Sequence, residues 1–191
     1  PLLAIDEAHC IAQWGHDFRP DYLRLGDVIK QLRPAHVLAC TATATPAVRD
    51  EILLRLDLHP SDTTVILRGF ARPNLHLAVA EVDKRSERHR IALDTIRRYL
   101  GSVAKPRGSV IVYAGTRKDT DSLTQQVRDL GWRVGGYHAG LDASVRERVS
   151  AAFAEQTLDV VVATNAFGMG IDRPDIRAVI HTRAPGSIES Y

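Results

Sequence analysis

Cysteine is almost absent: Cys10 and Cys40 are the only two in 191 residues. Neither belongs to a C-x-x-C pair, which excludes a disulfide framework and a cysteine-based structural zinc site and fits a reducing compartment. Long apolar runs are missing as well. No stretch approaches the ~20 apolar residues a membrane helix requires, and the opening PLLAIDEAHC lacks the basic start and long apolar core of a signal peptide. Neither sign of charge dominates. The 25 Lys and Arg against 23 Asp and Glu leave +2, so net charge announces neither a nucleic acid nor a membrane as partner. Internal repeats and low-complexity tracts are also lacking, and 45% hydrophobic residues with 25% charged ones is the composition of a folded chain. The first residue is Pro1, not Met, which suggests a chain cut from something longer.

What is present is a succession of short apolar runs: residues 2–5 (LLAI), 36–40 (HVLAC), 63–67 (TTVIL), 75–80 (LHLAVA), 109–113 (SVIVY), 160–163 (VVVA) and 178–181 (AVIH). They are continuous rather than alternating, the pattern of strands buried on both faces of a parallel sheet. Helical periods lie between them. Thr45 and Pro46 read as N-cap and first helical residue ahead of Val48, Ile52, Leu53 and Leu56. Leu123, Val127 and Leu130 repeat the spacing with Gly131 as a stop, a helix is placed around 89–100, and Ser144 with Glu147 forms a capping box ahead of Val145, Val149 and Phe153. Strands alternating with helices mean α/β architecture with parallel sheets. Residues 69–75 (GFARPNL) mark the boundary between two lobes, and 101–109 (GSVAKPRGS) join a helix to a strand.

Ligands of open parallel sheets sit beyond the carboxyl ends of the strands, where Asp6 and Glu7 follow LLAI. An Asp there can hold Mg²⁺, directly or through water, and an adjacent Glu can orient and deprotonate a water for phosphoryl transfer, with His9 placed to relay contacts onward. A pair of ordinary surface acids is the alternative reading. Within a dozen residues come Trp14, His16, Phe18 and Arg19, rings and a guanidinium able to stack on bases at about 1–3 kcal/mol each without reading sequence. Core anchors with a local ion-pair network would use the same residues. Gly168 and Gly170 follow VVVA, but the third glycine of a dinucleotide fingerprint is missing. Thr116 and Arg117 open a helix after a strand, a position that suits either phosphate or a plain N-cap. His36, His59, His76 and His89 belong to no motif and are assigned to structure or surface.

Residues 6–9 (DEAH), the following CIAQWGHDFRPDY (10–22) and TATAT (41–45) closely resemble the RecQ family of superfamily 2 DNA helicases. The likeness continues in order through RPNL (72–75), IVYAGTRK (111–118), YHAGL (137–141) and VVVATNAFGMGIDRPDIRAVIH (160–181), and so covers essentially the whole chain. It implies two RecA-like parallel-sheet lobes, the first truncated at its N-terminus: residues 1–71 as the end of the first, ATP-binding lobe, and 72–191 as the second. It implies catalysis by Asp6, Glu7 and His9, with Mg²⁺ on Asp6, and ATP facing Gln13, Gly170 and Asp172. It implies DNA contact or coupling by Trp14, His16, Asp17, Phe18, Arg19, Thr41, Thr43, Thr116, Arg117, His138, Thr164 and Asn165. The implied activity is 3′ to 5′ translocation on single-stranded DNA and unwinding of forked duplexes in repair or recombination. Cofactors are ATP and Mg²⁺, no membrane is involved, and the compartment is cytoplasmic, nucleoid-associated in a bacterium.

Two departures qualify the likeness. No G-x-x-x-x-G-K-[ST] is present, and the sequence ends at SIESY, before the family's arginine-rich motif. A chain without the phosphate-binding lysine and the arginine finger is expected to hydrolyse ATP poorly by itself. The alternative function is a truncated, catalytically inactive single-stranded DNA-binding module.

Overall fold

The structure, a computed structural model, describes residues 1–12, 18–68, 73–168, 171 and 173–184. The chain divides into two compact units, Pro1–His76 and Leu77–Pro185. The lobe boundary expected between residues 71 and 72 lies outside the described residues.

In the first unit, β1 (Leu2–Ile5) pairs in parallel with β2 (His36–Ala39), with Leu2 opposite His36 and Ile5 opposite Ala39. The ladder runs on past both strands. Cys40 N–H donates to Ile5 O at 2.9 Å and Ala8 N–H to Cys40 O at 3.0 Å, so the residues after β1 are held against the end of β2. Between the strands lies α1 (Leu25–Leu32), unanticipated because eight residues give only two turns in which to read a period. The next helix, α2 (Pro46–Arg55), starts as its sequence dictates: Thr45 Oγ1 accepts Val48 N–H at 3.4 Å and Pro46 fills the first position, where no amide partner is needed. Its Ile52, with Leu56 just past its end, packs on Ile5, Ala8 and Ile11 to form this unit's core.

The second unit begins with α3 (Arg85–Leu100), followed by a minimal hairpin of β3 (Gly101–Ser102) and β4 (Lys105–Pro106). Then come β5 (Ser109–Tyr113), α4 (Arg117–Asp129), β6 (Val134–Tyr137), α5 (Ala143–Ala154), β7 (Val160–Ala163) and β8 (Ile176–His181). The sheet is entirely parallel in the order β6-β7-β5-β8. Successive residues of one strand point to opposite faces, and both faces are covered. Val110, Val112, Val160 and Val162 join Ile96, Leu100, Leu123 and Val127 in one cluster, while Ile111, Val161 and Ala163 join Phe153 and Phe167 in another. That is why SVIVY and VVVA are apolar throughout. Each buried Val or Leu contributes roughly 1.5–3 kcal/mol, so this sheet is the rigid platform for the loops at its carboxyl end.

Three expectations need correction. The capping box at Ser144 does not form: Asp142 is the N-cap, without a side-chain cap bond, and Ser144 is already the second helical residue of α5. Residues 63–67 and 75–80 are not strands. Apolarity gives a segment its tendency to extend but not a neighbour to pair with, and Ile66, Leu67, Leu77 and Val79 are largely exposed, Val79 at 94%. Conversely β6, with sequence VGGY, is a strand that its two glycines conceal.

Candidate functional site

In the first unit the candidate acids stand where β1 ends. Asp6 and Glu7 are both exposed, and Glu7 takes a left-handed conformation at φ 49°, unusual for a residue with a side chain. The turn is pinned on all sides: Glu7 N–H donates to Asp6 Oδ1 at 2.8 Å, Tyr22 Oη donates to Asp6 O at 3.2 Å, and Cys10 N–H donates to Glu7 O at 2.9 Å. Cys40 Sγ lies 3.5 Å from Asp6 Oδ1, and desolvation, then this contact and the two carboxylates, push the thiol pKa up, so it stays protonated and donates.

His9 bridges this turn to the segment after β2. Its Nδ1 is 3.3 Å from Glu7 Oε2 and 2.8 Å from Thr41 Oγ1. Thr41 Oγ1 donates to Thr43 O at 3.3 Å and accepts Thr43 N–H at 3.1 Å, so the hydrogen toward His9 belongs on Nδ1, which donates to Thr41 and faces the Glu7 carboxylate. The sequence-expected Glu7, His9, Thr41 and Thr43 are thereby joined in one chain of contacts. Asp6 Oδ1 is occupied by the Glu7 amide and the Cys40 thiol, while Oδ2 has no hydrogen-bond partner among the described residues. A single exposed carboxylate fits Mg²⁺, which usually takes one or two carboxylates and completes its shell with water and nucleotide phosphates. No group of three or more His, Cys, Asp or Glu closes on a metal position among the described residues.

Of the aromatic loop, Gln13, Trp14, His16 and Asp17 lie outside the described residues. Phe18 is half-buried and Arg19 exposed, with Arg19 N–H donating to Cys10 O at 2.9 Å. That bond returns the chain to the 3₁₀ turn Ala8–Ile11, directly after the carboxylates.

In the second unit the candidate residues gather beyond the carboxyl ends of the strands. Thr116 is the N-cap of α4: its Oγ1 accepts Asp119 N–H at 3.1 Å and donates to Asp119 Oδ2 at 3.0 Å. Asp119 is held in turn by Arg85 Nε at 2.5 Å, with His89 Nε2 at 3.7 Å. His89 is buried and accepts from Gln126 Nε2 at 3.1 Å; burial first, then the Arg85 charge, hold its pKa below the ordinary 6.5. His89 thus belongs to the support of the α4 cap, a role its sequence position does not reveal.

His138 is 6% exposed with both ring nitrogens engaged, Nδ1 accepting Gly140 N–H and Nε2 donating to Asp121 Oδ1, each at 3.1 Å. Thr164 is half-buried, Asn165 exposed, and the turn they begin closes with Phe167 N–H donating to Thr164 O at 3.1 Å. Tyr113, which sequence reasoning passed over, donates its hydroxyl to Phe167 O at 2.9 Å and stacks on His181 at 4.9 Å between ring centroids. Gly168, at φ 135°, turns where a Cβ would stand 2.6 Å from the Tyr113 oxygen. Its close approach is to this protein's own tyrosine. Gly170 and Asp172 lie outside the described residues. Just beyond them Arg173 is buried, donating to Phe153 O and Leu158 O, gripping Asp175 at 2.5 and 2.8 Å, and lying 4.2 Å over the Phe153 ring. Nothing in the residue order distinguishes this arginine from a solvated one.

Parallel sheets, that of the second unit covered on both faces, with polar loops beyond their carboxyl ends define the class, a RecA-like α/β protein. The chain belongs to the helicase conserved C-terminal domain family, whose pattern matches residues 92–191. It is similar to the ATP-dependent DNA helicase RecQ of Pasteurella multocida, 42% identical over 190 residues, covering 100% of this chain and 28% of that protein. RecQ of Bacillus subtilis is 41% identical over 192 residues, covering 100% and 31%. The chain therefore spans about three-tenths of the length of these relatives. The fold is shared with Mycobacterium smegmatis helicase Lhr, solved bound to ssDNA and AMP-PNP, at a TM-score of 0.66 and 21% identity, covering 99% of this chain and 25% of that one.

Proposed function

We propose that this chain is part of the motor of an ATP-dependent DNA helicase of the RecQ type, in a protein whose ATP hydrolysis drives 3′ to 5′ movement along single-stranded DNA and unwinding of forked duplexes. The observation that carries the reading is the continuous link from the Glu7 carboxylate through His9 Nδ1 to Thr41 Oγ1, at 3.3 and 2.8 Å. In this reading Glu7 orients the attacking water and takes its proton, and His9 positions Glu7 while tying it to the Thr41–Thr43 segment. Mg²⁺ on Asp6 would neutralise the charge that develops on the nucleotide phosphates. Gln13, Gly170 and Asp172 face the nucleotide. Trp14, His16, Asp17, Phe18 and Arg19 sense the strand, and because the loop rejoins the chain at Cys10, a shift in it reaches Glu7 within a few bonds. Thr116, Arg117, Thr164 and Asn165 meet the DNA backbone, and His138, through its bonds to Gly140 and Asp121, positions the loop beside Arg117. The protein works in the cytoplasm, on the nucleoid of a bacterium, in repair or recombination.

The test is ATP hydrolysis by the intact protein, with and without single-stranded DNA. DNA stimulates the parent, Glu7→Gln abolishes turnover, and a double Trp14→Ala, Phe18→Ala variant keeps basal hydrolysis but loses stimulation. A Glu7→Gln protein with normal turnover refutes the mechanism, and stronger stimulation by RNA than by DNA refutes the substrate.

A further inference from the structure

Four arginines of the second unit lie against glycines, Arg107 on Gly101, Arg177 on Gly108, Arg183 on Gly115 and Arg117 on Gly140, and the last two stand beyond the carboxyl ends of the strands. A Cβ on Gly115 would stand 2.3 Å from Arg183 Cδ and 3.2 Å from Cγ, so the Arg183 stem runs across the bare Cα of Gly115. A Cβ on Gly140 would stand 3.1 Å from Arg117 Nη1 and 3.2 Å from Cδ, so Arg117 lies over Gly140 likewise. The two side chains come from different elements, Arg183 from beyond β8 and Arg117 from the start of α4, with Arg183 against Gly115, two residues before Arg117. Both are exposed, and among the described residues neither guanidinium has a carboxylate partner. The nearby acids are engaged elsewhere: Asp119 with Arg85 at 2.5 Å, Asp121 with His138 at 3.1 Å. Arginines before the strands are treated differently, Arg133 and Arg173 each being closed on a carboxylate at 2.5 Å.

We propose that Arg183, seated on Gly115, is a phosphodiester-binding residue that extends the DNA path from Arg117 across the carboxyl end of β5 to β8. The proposal rests on the DNA-translocase reading above and adds to it a contact that its motifs leave out. A guanidinium presents a planar fork to two phosphate oxygens, and a stem laid flat on a glycine has less freedom to lose when it binds. Two unpaired cations on either side of an open strand end suit successive phosphates of one strand. A nucleotide's phosphates offer the same chemistry, so the experiment must separate the two sources.

Binding of fluorescein-labelled dT20 to the intact protein, titrated across salt concentration, does so beside binding of a fluorescent ADP. One phosphate contact on a single strand contributes about 0.7 to the slope of log affinity against log salt, or roughly fivefold in affinity at 0.1 M relative to 1 M. Arg183→Ala is expected to lower the slope by that amount and leave ADP binding unchanged, while Arg183→Lys keeps the slope. Gly115→Ala, whose methyl would collide with the stem, reproduces Arg183→Ala, and the double variant is no weaker than either. An unchanged slope in Arg183→Ala overturns the proposal, as does weakened ADP binding with dT20 unaffected. A parent protein that fails to bind dT20 overturns the DNA reading along with it, so the two failures are told apart.

Discussion

Replacing Arg173 by methionine keeps the length and apolar stem of the side chain and removes its guanidinium. The structure shows what goes with it: two hydrogen bonds to Asp175, at 2.8 and 2.5 Å, the donations to Phe153 O and Leu158 O, and the cation lying 4.2 Å over the Phe153 ring. Breaking a buried ion pair from one side costs about 3–5 kcal/mol. Asp175 retains a quarter of its side-chain exposure and can return to water, which places this pair at or below the low end. The stranded carbonyls and the lost ring contact add back about 1 kcal/mol. A loss of about 3 kcal/mol follows, and a melting temperature about 10–15 °C lower for a domain of this size. The pH profile gives a second readout. Arg173 is the first cause of a folded Asp175 pKa below the ordinary 3.8, so Asp175 contributes stability above that value and loses it as pH falls through the lowered folded value. In Arg173→Met that acid-limb dependence flattens. Urea unfolding between pH 2 and 7, followed by circular dichroism, measures both effects; a loss under 0.5 kcal/mol or an unaltered acid limb refutes the clamp.

Two further outcomes follow from the same geometry. Gly135→Ala would place a methyl 2.8 Å from Val149 Cγ1 and 2.9 Å from Leu158 Cδ1, and is expected to destabilise the second unit by about 1–3 kcal/mol through overpacking, measured by urea denaturation. His89 has its folded pKa held below 6.5, facing Arg85, Arg88, Asp119 and Gln126, so its contribution is complete above pH 6.5 and is lost as pH falls below that value. His89→Gln is expected to remove this part of the pH dependence of unfolding.

The residue order by itself determined the α/β class and the order of the motifs. A continuous apolar run suits a strand covered on both sides, and SVIVY and VVVA are used so. Thr45 is legible as a cap because its hydroxyl and the following proline fit the first turn together, whereas Thr116, open in the sequence between cap and phosphate site, is a cap in the structure. The position of Asp6 and Glu7 at a strand end is legible because LLAI is the strand it reads as. Tertiary structure alone decided whether an apolar run finds a partner: 36–39 does, and 63–67 and 75–80 do not, since ladder bonds come from another segment. It alone brought His9 onto Thr41, 32 residues away, and closed Tyr113 on Phe167, 54 residues away. It also sorted arginines that look alike in sequence. Arg173 is buried because two carbonyls, a carboxylate and a ring converge on it; Arg183 is held open because the residue beneath it has no side chain. Charge is written in the sequence, but the partners that neutralise it or leave it free are set by distance in space.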